Sequence, residues 1–196
     1  ELLSVIDMSG LVILIIIQMI NAMKIARSNR ALEKKAYIDV HTGLPNKSRC
    51  EEILNDTKVI CETTACMMFD LNNLKVVNDT KGHSAGDQLI FDFAQLLRQV
   101  IPEKDFVGRY GGDEFMAVVY NTNKQEIEEM LENLCEKIDK WNRNETRNPI
   151  SYAHGWALSN EHKNCSMQLL FDRADRYMYE NKQLCKKRER YAAKNI

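Results

Sequence analysis

Hydrophobic positions change their spacing several times along the chain, and each change predicts an element. Met8 to Met23 carries no charge, and Leu11 to Ile17 is an unbroken aliphatic run. With Leu2 to Ile6, and broken only by Asp7, this stretch approaches the roughly 20 residues that cross a bilayer. Lys24, Arg27, Arg30, Lys34 and Lys35 follow it. Basic residues on that flank mark the cytoplasmic side of a span, whereas a cleaved signal peptide carries its basic residues first. Residues 1–23 are therefore read as the end of a transmembrane helix. The alternative is a buried or dimerising soluble helix, which Asp7 and Gln18 keep open because a charge inside a bilayer is costly. Residues 24–36 continue as a polar helix, a signalling helix or linker, with Ile25 and Leu32 one heptad apart, too short a pattern to establish a coiled coil.

Thr42-Gly43-Leu44-Pro45 breaks this helix, so the globular part is placed at residues 37–190, with 191–196 as a tail. Asn46 to Cys61 reads as a helix that Pro45 could open, and the apolar run Ala65 to Leu71 as a strand. Asn72 to Thr80 and Asp87 to Val100 read as helices, the second with Leu89, Ile90, Phe93, Leu96, Leu97 and Val100 on one face. Phe106 to Tyr110 and Glu114 to Tyr120 form strands around a Gly111-Gly112 turn. Lys124 to Trp141 is an amphipathic helix, Ile150 to Leu158 a strand, and Gln168 to Lys187 a last helix. The order predicts an α+β fold: a ferredoxin-like βαββαβ core with additions, its sheet containing antiparallel pairs and flanked by helices, preceded by the N-terminal helix.

That topology makes a geometric claim. A helical crossover sets the first and second strands parallel, so the end of the first strand meets the hairpin turn between the second and third. Asp70, Asp113 and Glu114 are expected at that one edge. Clustered carboxylates are costly without a neutralising cation. All-oxygen ligands suit Mg²⁺, and Gly111 and Gly112 let backbone approach a ligand. A hairpin turn with solvated acids is the plain alternative.

Composition changes this picture little. The chain is 44% hydrophobic and 28% charged, with a formal net charge of −1, so no global basic footprint points to nucleic acid. Six cysteines lack CxxC or zinc-ligand spacing and read as reduced, mostly buried small hydrophobes. The chain begins with Glu1 and is read as a fragment of a longer one.

Several segments together resemble the GGDEF family of diguanylate cyclase domains. Arg109-Tyr110-Gly111-Gly112-Asp113-Glu114-Phe115 contains the signature. Phe69-Asp70-Leu71-Asn72, Lys75-Val76-Val77-Asn78-Asp79 and Gly82-His83-Ser84-Ala85-Gly86-Asp87 look like the first strand and the guanine-binding segment. Asp39 to Lys47 resembles the family's opening motif. Ser151 to Ala157, and Ala174 to Tyr179 followed by Lys182, resemble its later blocks. The match runs in order from Asp39 to Lys187.

The resemblance implies condensation of two GTP molecules into cyclic di-GMP and two pyrophosphates. Each subunit holds one GTP, the 3′-hydroxyl of one attacks the α-phosphate of the other, and the active homodimer faces two half-sites together. It implies two metal ions per site, Mg²⁺ or alternatively Mn²⁺, on Asp70, the Leu71 carbonyl, Asp113 and Glu114. Asp113 is also the residue proposed to help deprotonate the 3′-hydroxyl, with Glu114 the second acid. Asn78 and Asp87 correspond to the guanine-binding pair, Lys182 and Lys186 to the triphosphate-holding bases. Lys75 could touch phosphate or only shape the pocket, and His83 reads as a turn or packing residue. A bacterial cytoplasmic-membrane location follows, with the catalytic domain in the cytoplasm. Asn72, Leu74, Cys185 and Lys186 depart from common family residues, which bears on affinity and rate. Many members carry Arg-x-x-Asp before the signature, where cyclic di-GMP inhibits; here Pro102-Glu103-Lys104-Asp105 keeps only Asp105. The alternatives are a non-catalytic module binding GTP or cyclic di-GMP, and a mixed-dinucleotide cyclase.

Overall fold

The computed structural model describes residues 2–56, 60, 63–144, 146–161 and 164–194, including side chains except those of 2–9, 29–35 and 186–194. It divides into two units, Glu1–Ile38 and Asp39–Ile196. The first is one continuous helix, α1 (Leu2–Tyr37), which runs through the apolar and the polar stretch alike. Its window Gly10–Ser28 has mean hydropathy 1.7, and its aliphatic residues from Leu11 to Ile17 are all exposed.

The second unit orders α2 (Lys47–Leu54), β1 (Thr64–Leu71), α3 (Leu74–Lys81), α4 (His83–Val100), β2 (Phe106–Arg109), β3 (Glu114–Tyr120), α5 (Lys124–Asn142), β4 (Tyr152–Leu158) and α6 (Met167–Lys194). The four strands form one sheet in the order β2-β3-β1-β4, with every neighbouring pair antiparallel. β1 and β2 therefore run parallel two strands apart, as the crossover requires.

β1 is central, and all eight of its residues are buried. Strand alternation divides them between two cores. Ala65, Met67, Phe69 and Leu71 join Leu89, Phe93 and Leu97 of α4 and Ile127, Leu134 and Ile138 of α5. Cys66 and Met68 join Cys50 of α2 and Leu170, Ala174 and Met178 of α6. Burial on both faces explains why β1 reads as a continuous apolar run. Of the cysteines among the described side chains, Cys50, Cys66 and Cys165 are buried as expected, Cys185 is half-buried and Cys135 is exposed; Cys61 lies outside the described residues.

Several predicted boundaries move for local reasons. Pro45 does not open α2; Asn46 caps it, its side chain accepting from the Arg49 N–H at 3.2 Å. That helix stops at Leu54, short of the expected Cys61. α3 and α4 are separated only by Gly82, whose φ of 86° turns the chain sharply. Ile150 stays out of β4 because the Asn142 side chain takes both its backbone groups, at 2.8 Å each.

α6 crosses β4 at Gly155, where backbone meets backbone. A Cβ there would stand 2.1 Å from the Met178 nitrogen and 2.3 Å from the Ala174 carbonyl oxygen. Helix backbone cannot swing aside as a flexible side chain can. Gly155→Ala is expected to cost about 3 kcal/mol or more through overpacking, read as a lower urea midpoint at unchanged denaturant slope. Wild-type stability would show that α6 can shift.

Candidate functional site

The register of β1 and β3 places Asp70 directly opposite Glu114. By alternation both carboxylates project to the α6 side, on the same face as Met68 and Met116. The Leu71 N–H donates to the Asp113 carbonyl at 2.9 Å, which draws the signature turn against the end of β1. The turn closes through Tyr110 and Gly111 N–H groups donating to the Glu114 carbonyl at 2.8 and 3.1 Å. The Glu114 side chain lies over Gly111: a Cβ there would come within 2.6 Å of Glu114 Oε2.

α6 answers these acids with one ammonium. Lys182 Nζ donates to both Asp70 oxygens, at 2.5 and 2.6 Å. The Asp70 side chain is only 8% exposed and that of Lys182 23%, so the pair is largely withdrawn from water. Burial raises the Glu114 carboxyl above its ordinary value; Asp113, Asp70 and Asp175 push the same way, and Lys182 opposes them. Asp175 is raised by its own burial and by Asp172 and Asp70. Among the described side chains, Lys182 is the cation that acts on Glu114 against three neighbouring acids.

The three acids lie at the one sheet edge where they are expected. Among the described residues no three His, Cys, Asp or Glu side chains are arranged to hold a metal ion. The Lys182 ammonium contacts both Asp70 oxygens. The donors still fit a hard divalent cation: they are all oxygen, Mg²⁺ needs only one or two protein carboxylates, and Glu114 shows the like-charge crowding that a cation relieves.

A cavity of about 260 Å³ adjoins this edge, lined by Asn73, Leu74 and Lys75 at the start of α3 and by Asp113, Lys182 and Cys185. Asn73 is left-handed (φ 61°) and gives α3 no side-chain cap. Uncapped first-turn amides and the positive helix end together suit an anion. Farther along the hairpin, Asn78 lies against Gly86, where a Cβ would stand 1.9 Å from Asn78 Oδ1. The missing side chain brings Asn78 beside the residue preceding Asp87. Asp87 is exposed, and its backbone carbonyl is 2.7 Å from His41 Nε2.

Asp105 stands elsewhere, at a separate cavity of about 340 Å³ with Pro102, Lys104 and Glu126. Its Oδ1 accepts from the Tyr120 N–H at 3.1 Å, and its Oδ2 is buried without a partner. The Lys186 side chain lies outside the described residues.

Sequence reasoning gave no role to the residues that hold the turn. Arg109 Nη1 contacts both Asp39 oxygens at 3.2 Å. Its other nitrogens donate to the Gly111 and Gly112 carbonyls at 2.8 to 3.3 Å. Burial works against the Asp39 charge, but the Thr42 hydroxyl and N–H, with Arg109, outweigh it and hold the carboxyl below its ordinary value. Asp175 was also missed as a neighbour of the site. An arginine two positions before a Gly-Gly pair was the available signal, because bare carbonyls need donors.

With this geometry established, comparison with known proteins is informative. The family described as "Diguanylate cyclase, GGDEF domain" matches residues 36–188. Signaling protein YkoW of Bacillus subtilis is 30% identical over 87% of this chain and 22% of its own length. Diguanylate cyclase DgcZ of Escherichia coli is 29% identical over 76% of this chain and 51% of its own. The chain thus spans between a fifth and about half of these relatives' lengths. The crystal structure of the coiled coil and GGDEF domain of DgcB from Caulobacter crescentus, in complex with c-di-GMP, has a TM-score of 0.74 at 23% identity, covering 85% of this chain and 91% of that one. The order of the sheet, the turn at its edge and the matched residues agree: the chain belongs to the GGDEF family of diguanylate cyclase domains.

Proposed function

We propose that this chain condenses two GTP molecules into cyclic di-GMP and two pyrophosphates. The observation that carries the reading is the continuity of the site: Asp113 of the signature turn, the Lys182 ammonium that Asp70 holds and the uncapped start of α3 meet at one cavity. That is the arrangement a triphosphate with a divalent cation needs, and cyclases of this family generally use divalent metal ions. Mg²⁺ is the favoured cation here, with Mn²⁺ the alternative, two per site on Asp70, the Leu71 carbonyl, Asp113 and Glu114. When bound, the ions would acidify the attacking 3′-hydroxyl and neutralise charge on the phosphates.

The chain's own residues divide the remaining work. α3's first-turn amides take phosphate oxygens. Lys182, and in this reading Lys186, add cationic donors, and Lys182 can exchange its carboxylate partner for a phosphate. Gly111 and Gly112 keep the turn open to close approach. The Asp87 carboxylate accepts from guanine N1–H and the 2-amino group, while Asn78 completes the base edge. Asp113 or Glu114 receives the hydroxyl proton. One site holds one nucleotide, so a second copy of the chain must present the other, and the protein contributes mainly orientation. Residues 24–36 would carry a signal into that dimer, and residues 1–23 would anchor it in a bacterial cytoplasmic membrane with the domain inside.

The test is incubation of the dimerised chain with Mg²⁺ and a GTP–ATP mixture, followed by product identification. Cyclic di-GMP is expected to dominate, since ATP leaves Asp87 without donors. Asp70→Asn and Asp113→Asn should each lower turnover at least a hundredfold in folded protein. GTP binding without any product would instead identify a regulatory module, and mixed products a broader cyclase.

Product inhibition through Asp105 is expected to be weak. Proline at 102 supplies no guanidinium fork, Glu126 adds negative charge at the cavity, and one Asp105 oxygen is committed to Tyr120. Initial rates against added cyclic di-GMP check this; potent non-competitive inhibition lost in Asp105→Ala would contradict it.

The anchor is separately testable. Exposed aliphatic side chains along α1, with Lys24 and Arg27 at its polar end, predict that the chain fractionates with membranes and resists alkaline carbonate. Release into the soluble fraction would favour a helix that pairs with protein.

A further inference from the structure

α3 carries Asn78 and α4 carries Asp87, yet α3 has no buried residue. Leu74 and Val77 rest half-buried against the core, but the last turn of the helix, Asp79 to Lys81, is exposed, and Gly82 alone connects it along the chain to α4. Two groups that grip one base must nonetheless keep their spacing. The loop between α5 and β4 supplies the missing restraint. Asn148 Oδ1 accepts from Lys81 Nζ in the last turn of α3 at 2.8 Å. The same amide's Nδ2 donates to the Ala85 carbonyl in the first turn of α4 at 3.4 Å. One side chain thus spans both arms of the hairpin, and it is not among the residues lining the cavity at Asp113 and Lys182.

The base under Asn148 is firm. Asn142 holds Ile150 by two hydrogen bonds of 2.8 Å. The Trp141 indole N–H donates to the Asn148 carbonyl at 3.4 Å, and the Arg147 guanidinium stacks 3.8 Å above the Trp141 ring. Pro149 restricts Asn148 to extended backbone. The loop's far end grips the other end of α3: the Asn72 N–H donates to the Ser151 carbonyl at 2.8 Å, and Asn72 Nδ2 to Ser151 Oγ at 3.1 Å.

We propose that Asn148 is a positioning residue for guanine recognition, clasping the α3–α4 hairpin from outside the pocket so that Asn78 and Asp87 keep the spacing one base requires. This rests on the cyclase reading above. It predicts a loss confined to the base: the triphosphate is held at the opposite end of α3, by its first amides and Lys182.

The experiment titrates the full chain, with Mg²⁺, using two probes. 3′-Deoxy-GTP carries the base but lacks the attacking hydroxyl, so it binds without turning over. Inorganic tripolyphosphate carries no base. In Asn148→Ala, 3′-deoxy-GTP should bind about five- to tenfold more weakly, as loss of roughly 1 kcal/mol of restraint implies, while tripolyphosphate is unchanged. Asn148→Asp keeps the Lys81 contact and should fall between. Lys81→Ala, an exposed position that folding tolerates, should repeat the selective loss. Equal weakening of both probes, or no change in any variant, overturns the clasp while leaving the cyclase reading standing. Failure of the wild-type chain to bind 3′-deoxy-GTP overturns that reading and this inference with it.

Discussion

Asp70 lies next to the end of a strand that is buried along its whole length, and the Lys182 ammonium 2.5 Å away is what allows an acid to sit there. Removing one member of such a pair leaves an uncompensated charge and costs about 3–5 kcal/mol. The contact also fixes α6 against the end of β1, since Lys182 reaches Asp70 from the helix that Gly155 lets approach β4 so closely. The same geometry brings Asp175 toward Glu114, so the helix supplies both neutralising and crowding charge. Among the described side chains the edge holds more carboxylates than cations, which favours binding a cation and a polyphosphate together.

Around this edge, precision comes from polar ties rather than from the core. The aromatic group of Phe69, Phe93, Phe115 and Tyr152 supports the sheet from the other side, with Phe93 and Phe115 centroids 5.2 Å apart. It cannot orient a turn that lies beyond it. Arg109 does that, joining Asp39 to the two glycine carbonyls through a rigid planar group. The Asp39–Leu44 loop thereby holds the signature turn and, through His41, touches the backbone of Asp87. A segment read from the sequence as a helix break and an opening motif, with no role in the site, is a junction between the two halves of the site.

The sequence by itself determined the order of elements, because each records its own burial periodically: the continuous run of β1, the 3.6-residue spacing of α4 and α5, and the Gly-Gly turn before β3. It also determined that Asp70, Asp113 and Glu114 share one edge, since crossover and hairpin leave no other arrangement for them. Element ends were less legible, as with Ile150, whose backbone is taken by the Asn142 side chain rather than by the ladder. Only the tertiary structure decided which charges meet. Lys182 lies 112 residues from Asp70, and Arg109 lies 70 from Asp39. Periodicity names the face a side chain points toward, but not the partner waiting there. That depends on crossing angles and side-chain reach, which are fixed only when helices pack on the sheet.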